Sequence, residues 1–319
     1  MHAFVGVTDV DWYRQLQLYP PDSEEVNFWF PSAKQGFEAI EPGEFFIFKT
    51  HVDRARPRLS NRLVGVGIFS GYARLLVSEA WDWFDLANGV HSATQLLSRI
   101  ERYRRAPFGR FEDPEIGCVL LRDVSFFPPE DSLPSPSDFA PSIVRGKRYD
   151  LNDYPPDRAV SLAVAKYLDG RPSLVQDEKI AILAGHTHGD PRLVVPRVGQ
   201  GAFKAVVAEA YGHHCAVTGD KVRPVLQAAH ILPVGRGGQH RVDNGVLLRS
   251  DMHKLFDDGY IGFDNKYRLR VSPAIRARFG NGDWLYSHEG SRIEVPARSV
   301  ERPNVEFLEW HLETVFLNG

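Results

Sequence analysis

Along the first third of the chain, apolar positions alternate over short runs and shift to helical spacing in two patches. Phe4–Val7 and Phe45–Lys49 read as strands, and so does Arg62–Ser70, which carries Gly65 and Gly67. Cys118–Phe127 (CVLLRDVSFF) reads as a strongly apolar buried strand. Asp9-Val-Asp-Trp-Tyr predicts a turn into a short helix. Over His91–Arg105 the period is helical: Ser92 can cap, Leu96, Leu97, Ile100 and Tyr103 form one face, and Arg99, Arg102, Arg104 and Arg105 the other. Short strands with helices set among them predict an α+β chain whose N-terminal part is a small β-barrel with peripheral helices.

Past Phe127 the periodicity lapses. PPEDSLPSPSDFAPS is too rich in Pro, Ser and Asp for regular structure, and Tyr154-Pro-Pro is a second break. Helical spacing resumes at Arg158–Leu168, within a stretch read as a connector. The last third opens with a helix over Ala202–Tyr211, ended by Gly212. A hairpin is expected in CAVTGDKVRPVLQAAHI, turning at Thr218-Gly-Asp-Lys. A helix follows over Asp251–Asp258, capped by Ser250 and stopped by Gly259. Asp264-Asn265 turns another hairpin, and Phe307–Phe316 makes an amphipathic final helix. The division expected is 1–150, 151–195 as a helical connector, and 196–319.

A chain of 319 residues, 43% hydrophobic and 25% charged, suits two soluble domains. No apolar run reaches the roughly 18 residues of a membrane span, and MHAFVGVTDVDW lacks the basic start of a signal peptide. With only Cys118 and Cys215, a disulfide framework is excluded and a cytoplasmic location is expected. The net charge of −3 hides an asymmetry. Pro196–Gly280 holds thirteen Lys and Arg against seven Asp and Glu, enough for a phosphate-facing patch.

The chemistry concentrates in LQAAHILPVGRGGQHRVDNGVLLRSDMHKLFD, Leu226 to Asp257. His253 and Asp257 are four apart on a helix and share a face, a plausible pair of divalent-metal ligands. His230 lies on the preceding strand, where a neutral imidazole can deprotonate a water attacking a phosphodiester. Asn244 ends the glycine-rich loop and can pin it by hydrogen-bonding main chain. His186 and His188, and His213 and His214, lack convergent partners and read as loop or helix-end residues. GRGGQH has no helix after it and is not a phosphate loop.

In this order and context, AAHI followed by DNGVLLRSDMHKLFD resembles the HNH nucleases, whose fold is the ββα-metal finger, over about Tyr211 to Phe263. The resemblance implies a metal-dependent DNA endonuclease with His230 as general base, His253 as metal ligand and Asn244 as loop-fixing residue. Asp257 stands where some members carry a further histidine ligand. The ion implied is Mg²⁺ or Mn²⁺, or another transition divalent. Many members carry Asp or His just before the general base, where this chain has Ala229, which implies weak intrinsic metal affinity. With Cys215 alone in place of paired Cys-x-x-Cys motifs, no structural zinc is expected.

In the N-terminal part, VNFWFPSAKQGFEAIEPGEFFIFKTH (Val26–His51) joins an aromatic cluster, a short helix, a turn at Pro42-Gly43 and a strand. It resembles the EVE branch of the PUA-like superfamily, over about residues 1 to 150. That resemblance implies an aromatic cage for a flipped, modified base. Asn27, Trp29, Phe30 and Trp81 are the cage candidates, and Lys34, Lys49, Arg54, Arg56 and Arg58 the phosphate contacts. Together the resemblances imply a modification-dependent, type IV-like restriction endonuclease for phage defence. It would act on double-stranded DNA carrying 5-methylcytosine or another modified cytosine, with no membrane partner and a homodimer suited to two half-sites. The alternatives are a nicking or toxin-like HNH nuclease without that specificity, and a DNA-binding protein with a decayed nuclease.

Overall fold

The computed structural model describes residues 1–21, 25–153, 155, 158–170 and 199–318. The chain divides into two compact units, Met1–Pro196 and Arg197–Gly319. Among the described residues, no helix is long and apolar enough to cross a membrane. His186 and His188 lie outside the described residues.

The first unit runs β1 (His2–Thr8), α1 (Val10–Leu18), β2 (Val26–Phe30), β3 (Phe45–Thr50), β4 (Arg62–Leu76), α2 (Val77–Phe84), α3 (Ala93–Arg104), β5 (Glu115–Phe126), β6 (Leu133–Pro134), β7 (Gly146–Asp150) and α4 (Ala159–Asp169). Period-two alternation sends the side chains of each strand to two different cores. Phe4, Phe46 and Phe48 join Trp12, Phe28 and Phe69 on one face, whereas Ala3, Val5, Phe45 and Ile47 join Val160, Ala163 and Tyr167 on the other. The expected connector helix α4 is therefore part of this unit. Its apolar stripe covers one face of the sheet, and the Tyr167 hydroxyl donates to Asp123 O at 2.6 Å.

The expected barrel does not close. The sheet runs β2-β5-β4-β3-β1-β7, with β6 on β4, and no ladder joins β2 to β7. Side chains and loop occupy that seam instead. Arg145, just before β7, lies 4.0 Å over the Phe30 ring, and its guanidinium donates to Gln35 Oε1 at 2.6 Å and Gly36 O at 3.1 Å. The short helix expected after β2 is absent, and residues 31–44 are loop. β7 went unread because GKRYD has no apolar alternation; its pairing to β1 supplies what its composition does not.

Asp9 caps α1, its carboxylate accepting from Trp12 N at 2.7 Å, and Ser92 caps α3 in the same way at 3.2 Å. Only Leu96 and Ile100 of the expected α3 face are fully buried. Tyr103 is 42% exposed and donates to Asp9 Oδ2 at 3.1 Å. Arg104, expected to face solvent, turns inward, its guanidinium donating to Glu115 O at 2.6 Å and to Pro31 O. Longer side chains thus tie the helix to loops that apolar periodicity does not reveal.

The second unit comprises α5 (Gln200–Ala210), β8 (Leu226–His230), β9 (Gly245–Arg249), α6 (Ser250–Asp257), β10 (Ile261–Phe263), β11 (Leu269–Val271), α7 (Ala274–Phe279), α8 (Asp283–Ser287) and α9 (Val305–Thr314). The hairpin expected within residues 215–231 is not formed. β8 pairs with β9 across the glycine-rich loop, from Leu226↔Arg249 to His230↔Gly245. Residues 215–218 form a turn instead, because the buried Cys215 sulfur accepts main-chain N–H groups from Thr218 (3.5 Å) and Arg249 (3.2 Å). The cap of α6 is Arg249 rather than Ser250, with Arg249 Nε and Nη2 held on the Asp251 carboxylate at 2.7 and 2.8 Å.

Phe256 of α6 is the centre of this unit's core. It stacks on Phe263 at 5.3 Å and on His311 of α9 at 3.8 Å, and its carbonyl accepts from His311 Nε2 at 3.0 Å. His311 is 2% exposed, and burial pushes its imidazole down to about 4. The unfolded chain, with an ordinary imidazole near 6.5, therefore binds a proton between pH 6.5 and 4 that the folded chain does not. His311 by itself should contribute a fall of about 3 kcal/mol in this unit's stability as pH drops through that window, levelling off below it. Chemical denaturation at a series of pH values checks this, and His311→Phe, which keeps the stack, should remove that part of the slope.

In the first unit, Gly89 has φ +69°, and a Cβ there would lie 2.3 Å from the Trp12 indole. Backbone strain and overpacking together should make Gly89→Ala cost about 2–4 kcal/mol in urea denaturation.

Candidate functional site

β8, its following loop, β9 and α6 make one small frame in the second unit. His230 ends β8 opposite Gly245, the first residue of β9. Glycine is required there by a close approach, since a Cβ on Gly245 would lie 2.5 Å from Val207 and 3.1 Å from the Phe203 ring of α5. Phe203 can consequently lie flat on His230, with centroids 3.9 Å apart and planes 13° apart.

The loop between the strands is held by Asn244, which is 0% exposed. Its Oδ1 accepts from Leu232 N at 2.8 Å, and its Nδ2 donates to Leu232 O and Gln239 O, each at 2.9 Å. Three bonds from one amide clamp the two ends of the loop. His240, one residue beyond Gln239, is thereby brought back to His230, with His230 Nε2 and His240 Nδ1 3.0 Å apart.

On α6, His253 Nε2 and Asp257 Oδ2 lie 3.3 Å apart, one helical turn separating the residues. His253 Nδ1 donates to Gln227 Oε1 of β8 at 2.8 Å, which places the lone pair on Nε2, toward the carboxylate. Two electron-rich atoms then face each other, an arrangement that a shared proton or cation relieves. Their spacing is close to the ~3 Å between adjacent ligands of a small divalent ion bound at 2.0–2.2 Å. The donor set therefore fits a divalent cation. Among the described residues, no group of three or more His, Cys, Asp and Glu side chains converges on a metal site, so this pair is the ligand set available.

His230, His240, His253 and Asp257 line one cavity of about 590 Å³, with Gln200 and His311 also in its wall. Burial, reinforced by the neighbouring imidazoles of His240 and His253, lowers His230 to about 4. Burial also lowers His240. Partial burial in the wall raises the Asp257 carboxyl, against the pull of His253. At neutral pH His230 is thus a neutral imidazole.

His240 and Gln227 were not singled out in the sequence. His240 had a weak signal, as a histidine in a glycine-rich loop between two strands; Gln227 had none. His213 lies 3.4 Å from Glu209 and 3.0 Å from Arg223, apart from this cavity's lining.

In the first unit a second cavity, of about 480 Å³, lies along the unclosed seam, between Val7 and Thr8 of β1, Trp29 and Phe30 of β2, and Arg145 before β7. Trp29 is partly buried in its wall, and its indole N–H donates to Asn88 O at 3.0 Å. The same carbonyl accepts from Trp12 Nε1 at 3.0 Å. Phe30 also lines the cavity, whereas Asn27 and Trp81 do not. Asn27 is 0% exposed and donates to Asn88 Oδ1 at 2.9 Å, so it supports the wall from behind.

The expected phosphate contacts divide. Lys34 lines the cavity mouth, and Arg54 and Arg58 are exposed. Arg56 is occupied by Asp11 and Asp53. Lys49 is 4% exposed, donates to Thr50 O at 3.2 Å and lies 4.7 Å over Phe139, which removes it from any phosphate surface. The expectation for Lys49 fails because both faces of this sheet are covered. Asp9, His51, Tyr103 and Arg145 add polar groups to the cavity that sequence reading missed.

No curated protein matches the chain. Among solved structures, a mutant ZmASCH protein from Zymomonas mobilis is similar over 39% of this chain and 71% of its own, at 10% identity and a TM-score of 0.26. The modification-dependent TagI restriction endonuclease is similar over 98% of this chain and 81% of its own, at 13% identity and a TM-score of 0.29. Residues 215–264, from Cys215 through β8, β9 and α6 to the end of β10, match the model of the HNH endonuclease family.

Proposed function

We propose that this protein is a DNA endonuclease that hydrolyses phosphodiester bonds in its second unit and takes a modified cytosine into the cavity of its first. The observation that carries the first half is the convergence of His230, His253 and Asp257 on one cavity, within the segment matched by the HNH family. His230 is the general base: partly buried and neutral, it keeps a lone pair for a water proton at neutral pH. His253 and Asp257 are the residues to hold a divalent cation, Mg²⁺ or Mn²⁺. When bound, that ion polarises the phosphate and offsets the charge that develops on its oxygens. Gln227 orients the His253 ring for this task, and Asn244 keeps the loop from moving His230 away from it. Ala229, directly before the base, is fully buried and offers no ligand, so the cation is shared between two side chains, water and the DNA.

The second half rests on the seam cavity. Its volume lies in the ordinary range for small ligands, and Trp29, Phe30 and Tyr103 give it aromatic walls beside polar groups. A base turned out of double-stranded DNA needs stacking faces and a few donors and acceptors for its edge, and this cavity offers both. Lys34 and the exposed Arg54 and Arg58 suit the flanking phosphates.

Digestion of matched plasmids, unmodified, methylated and hydroxymethylated at cytosine, with Mg²⁺ or Mn²⁺, tests the whole reading. Cleavage confined to the modified plasmids is expected; equal cleavage of all three leaves a nuclease without modified-base specificity. His230→Ala should reduce cleavage by about 10²–10⁴-fold with DNA binding retained. Since protonation disables the base, the acid limb of the wild-type rate should fall near pH 4 rather than near 6.5. A limb at 6.5 would remove His230 from that role.

Trp29→Ala should weaken binding to modified DNA by about 1–3 kcal/mol and leave binding to unmodified DNA nearly unchanged at fixed salt. Equal loss on both DNAs, together with an early melt, would instead make Trp29 a packing residue only.

A further inference from the structure

We propose that His240 is a positioning residue for the general base: its Nδ1 accepts the Nε2–H of His230 and so leaves the lone pair on His230 Nδ1 for the attacking water. This rests on the reading of His230 as the base.

The two nitrogens are 3.0 Å apart, a hydrogen bond between two imidazoles. Burial favours the neutral form of both rings, and a neutral imidazole carries one N–H and one lone pair. Only two arrangements are then compatible with the contact. If His240 donates, the proton of His230 is on Nδ1 and its single lone pair is spent on His240. That ring cannot take a proton from water. If His230 donates, its Nδ1 lone pair is free, and His240 carries its own proton on Nε2. Only the second arrangement makes His230 a base.

Three contacts hold the pair in register. Phe203 lies flat on His230 and fixes the ring plane, with its centroid 5.6 Å from that of His240. Asn244 holds Gln239 O, next to His240, and Leu232, two residues past His230. The loop clamp therefore acts on the base through His240. During the reaction the water proton moves to His230 Nδ1, the hydroxide forms a new P–O bond, and the P–O bond to the departing sugar oxygen breaks, that oxygen taking a proton from solvent. The Nε2 proton stays between the two rings, where the bond becomes charge-assisted and favours the imidazolium. Burial favours the neutral form of His240, so the acceptor here is a neutral imidazole where other bases use a carboxylate.

The test uses the full chain labelled with ¹⁵N at histidine, in wild type, His240→Ala and His240→Asn, whose side-chain oxygen can replace the Nδ1 acceptor. Long-range ¹H–¹⁵N correlation reads the His230 tautomer without DNA or metal. Steady-state cleavage of plasmid with Mn²⁺ is measured in parallel. The wild type should show the Nε2–H tautomer of His230. His240→Ala should mix the tautomers and lower kcat by about 10–100-fold, the usual cost of losing a partner that orients a site residue, with KM and Mn²⁺ dependence unchanged. His240→Asn should restore the tautomer and most of kcat. An Nδ1–H tautomer of His230 in the wild type overturns the proposal, as does cleavage by His240→Ala within twofold of wild type. So does equal loss in both variants through KM. Because the tautomer needs no cleavage to be read, a wild type inactive on every plasmid would count against the nuclease reading and leave this one decided by the spectrum.

Discussion

The second unit depends on one side-chain amide. Asn244 spends both its donors and its acceptor on main chain at the two ends of a loop, and so converts a flexible glycine-rich segment into a fixed bracket. The amide is wholly buried, where an unmet N–H or C=O costs about 1–3 kcal/mol, so each bond is enforced by the cost of losing it. Everything chemical hangs from that bracket. His230 enters it on β8, His240 leaves it on the far side, and β9 leads directly into the helix that carries His253 and Asp257. A residue whose role is architectural thus fixes the geometry of those proposed for proton transfer and metal binding.

The electrostatics follow from the same packing. Phe203, admitted by Gly245, desolvates His230 and keeps it neutral. On the other side of the cavity, His253 and Asp257 present a lone pair and a charge to each other, an arrangement suited to a cation. A neutral imidazole proposed as the base, and a His–Asp pair proposed to hold a cation, in one cavity suit metal-assisted hydrolysis. Cys215 ties its turn to the start of α6 through main-chain hydrogen bonds to its sulfur.

In the first unit the corresponding anchor is the carbonyl of Asn88, which accepts from both Trp12 and Trp29. Behind it the Asn88 amide is itself held by Asn27, Ala80 and Asp85. This polar knot sits among aromatic rings and fixes the wall of a cavity that exists because β2 and β7 do not pair. An Arg145 guanidinium over Phe30 takes the place of the missing ladder, leaving the seam partly open.

Much of the frame was legible in the sequence because it is written in local patterns. Short apolar runs mark β1, β3, β4 and β5, cap residues mark α1 and α3, and i,i+4 spacing puts His253 and Asp257 on one face. The residue types of the candidate site, and the loop-pinning geometry of Asn244, belong to that same short stretch. Long-range contacts decided the rest. Nothing near Leu226 shows that its partner strand is β9 rather than the chain just before it, since strand pairing is chosen by which register buries the most apolar surface. Nothing near Val160 shows that α4 covers a sheet face that includes β1, β3 and β4, strands from the first 76 residues. Lys49 is buried because both faces of its sheet are covered, and His240 meets His230 because an amide closes the loop between them. Sequence by itself determined which chemistry the chain can carry, because residue type and helical spacing are local. Tertiary structure alone decided which of those groups meet, because pairing and burial are properties of the whole fold.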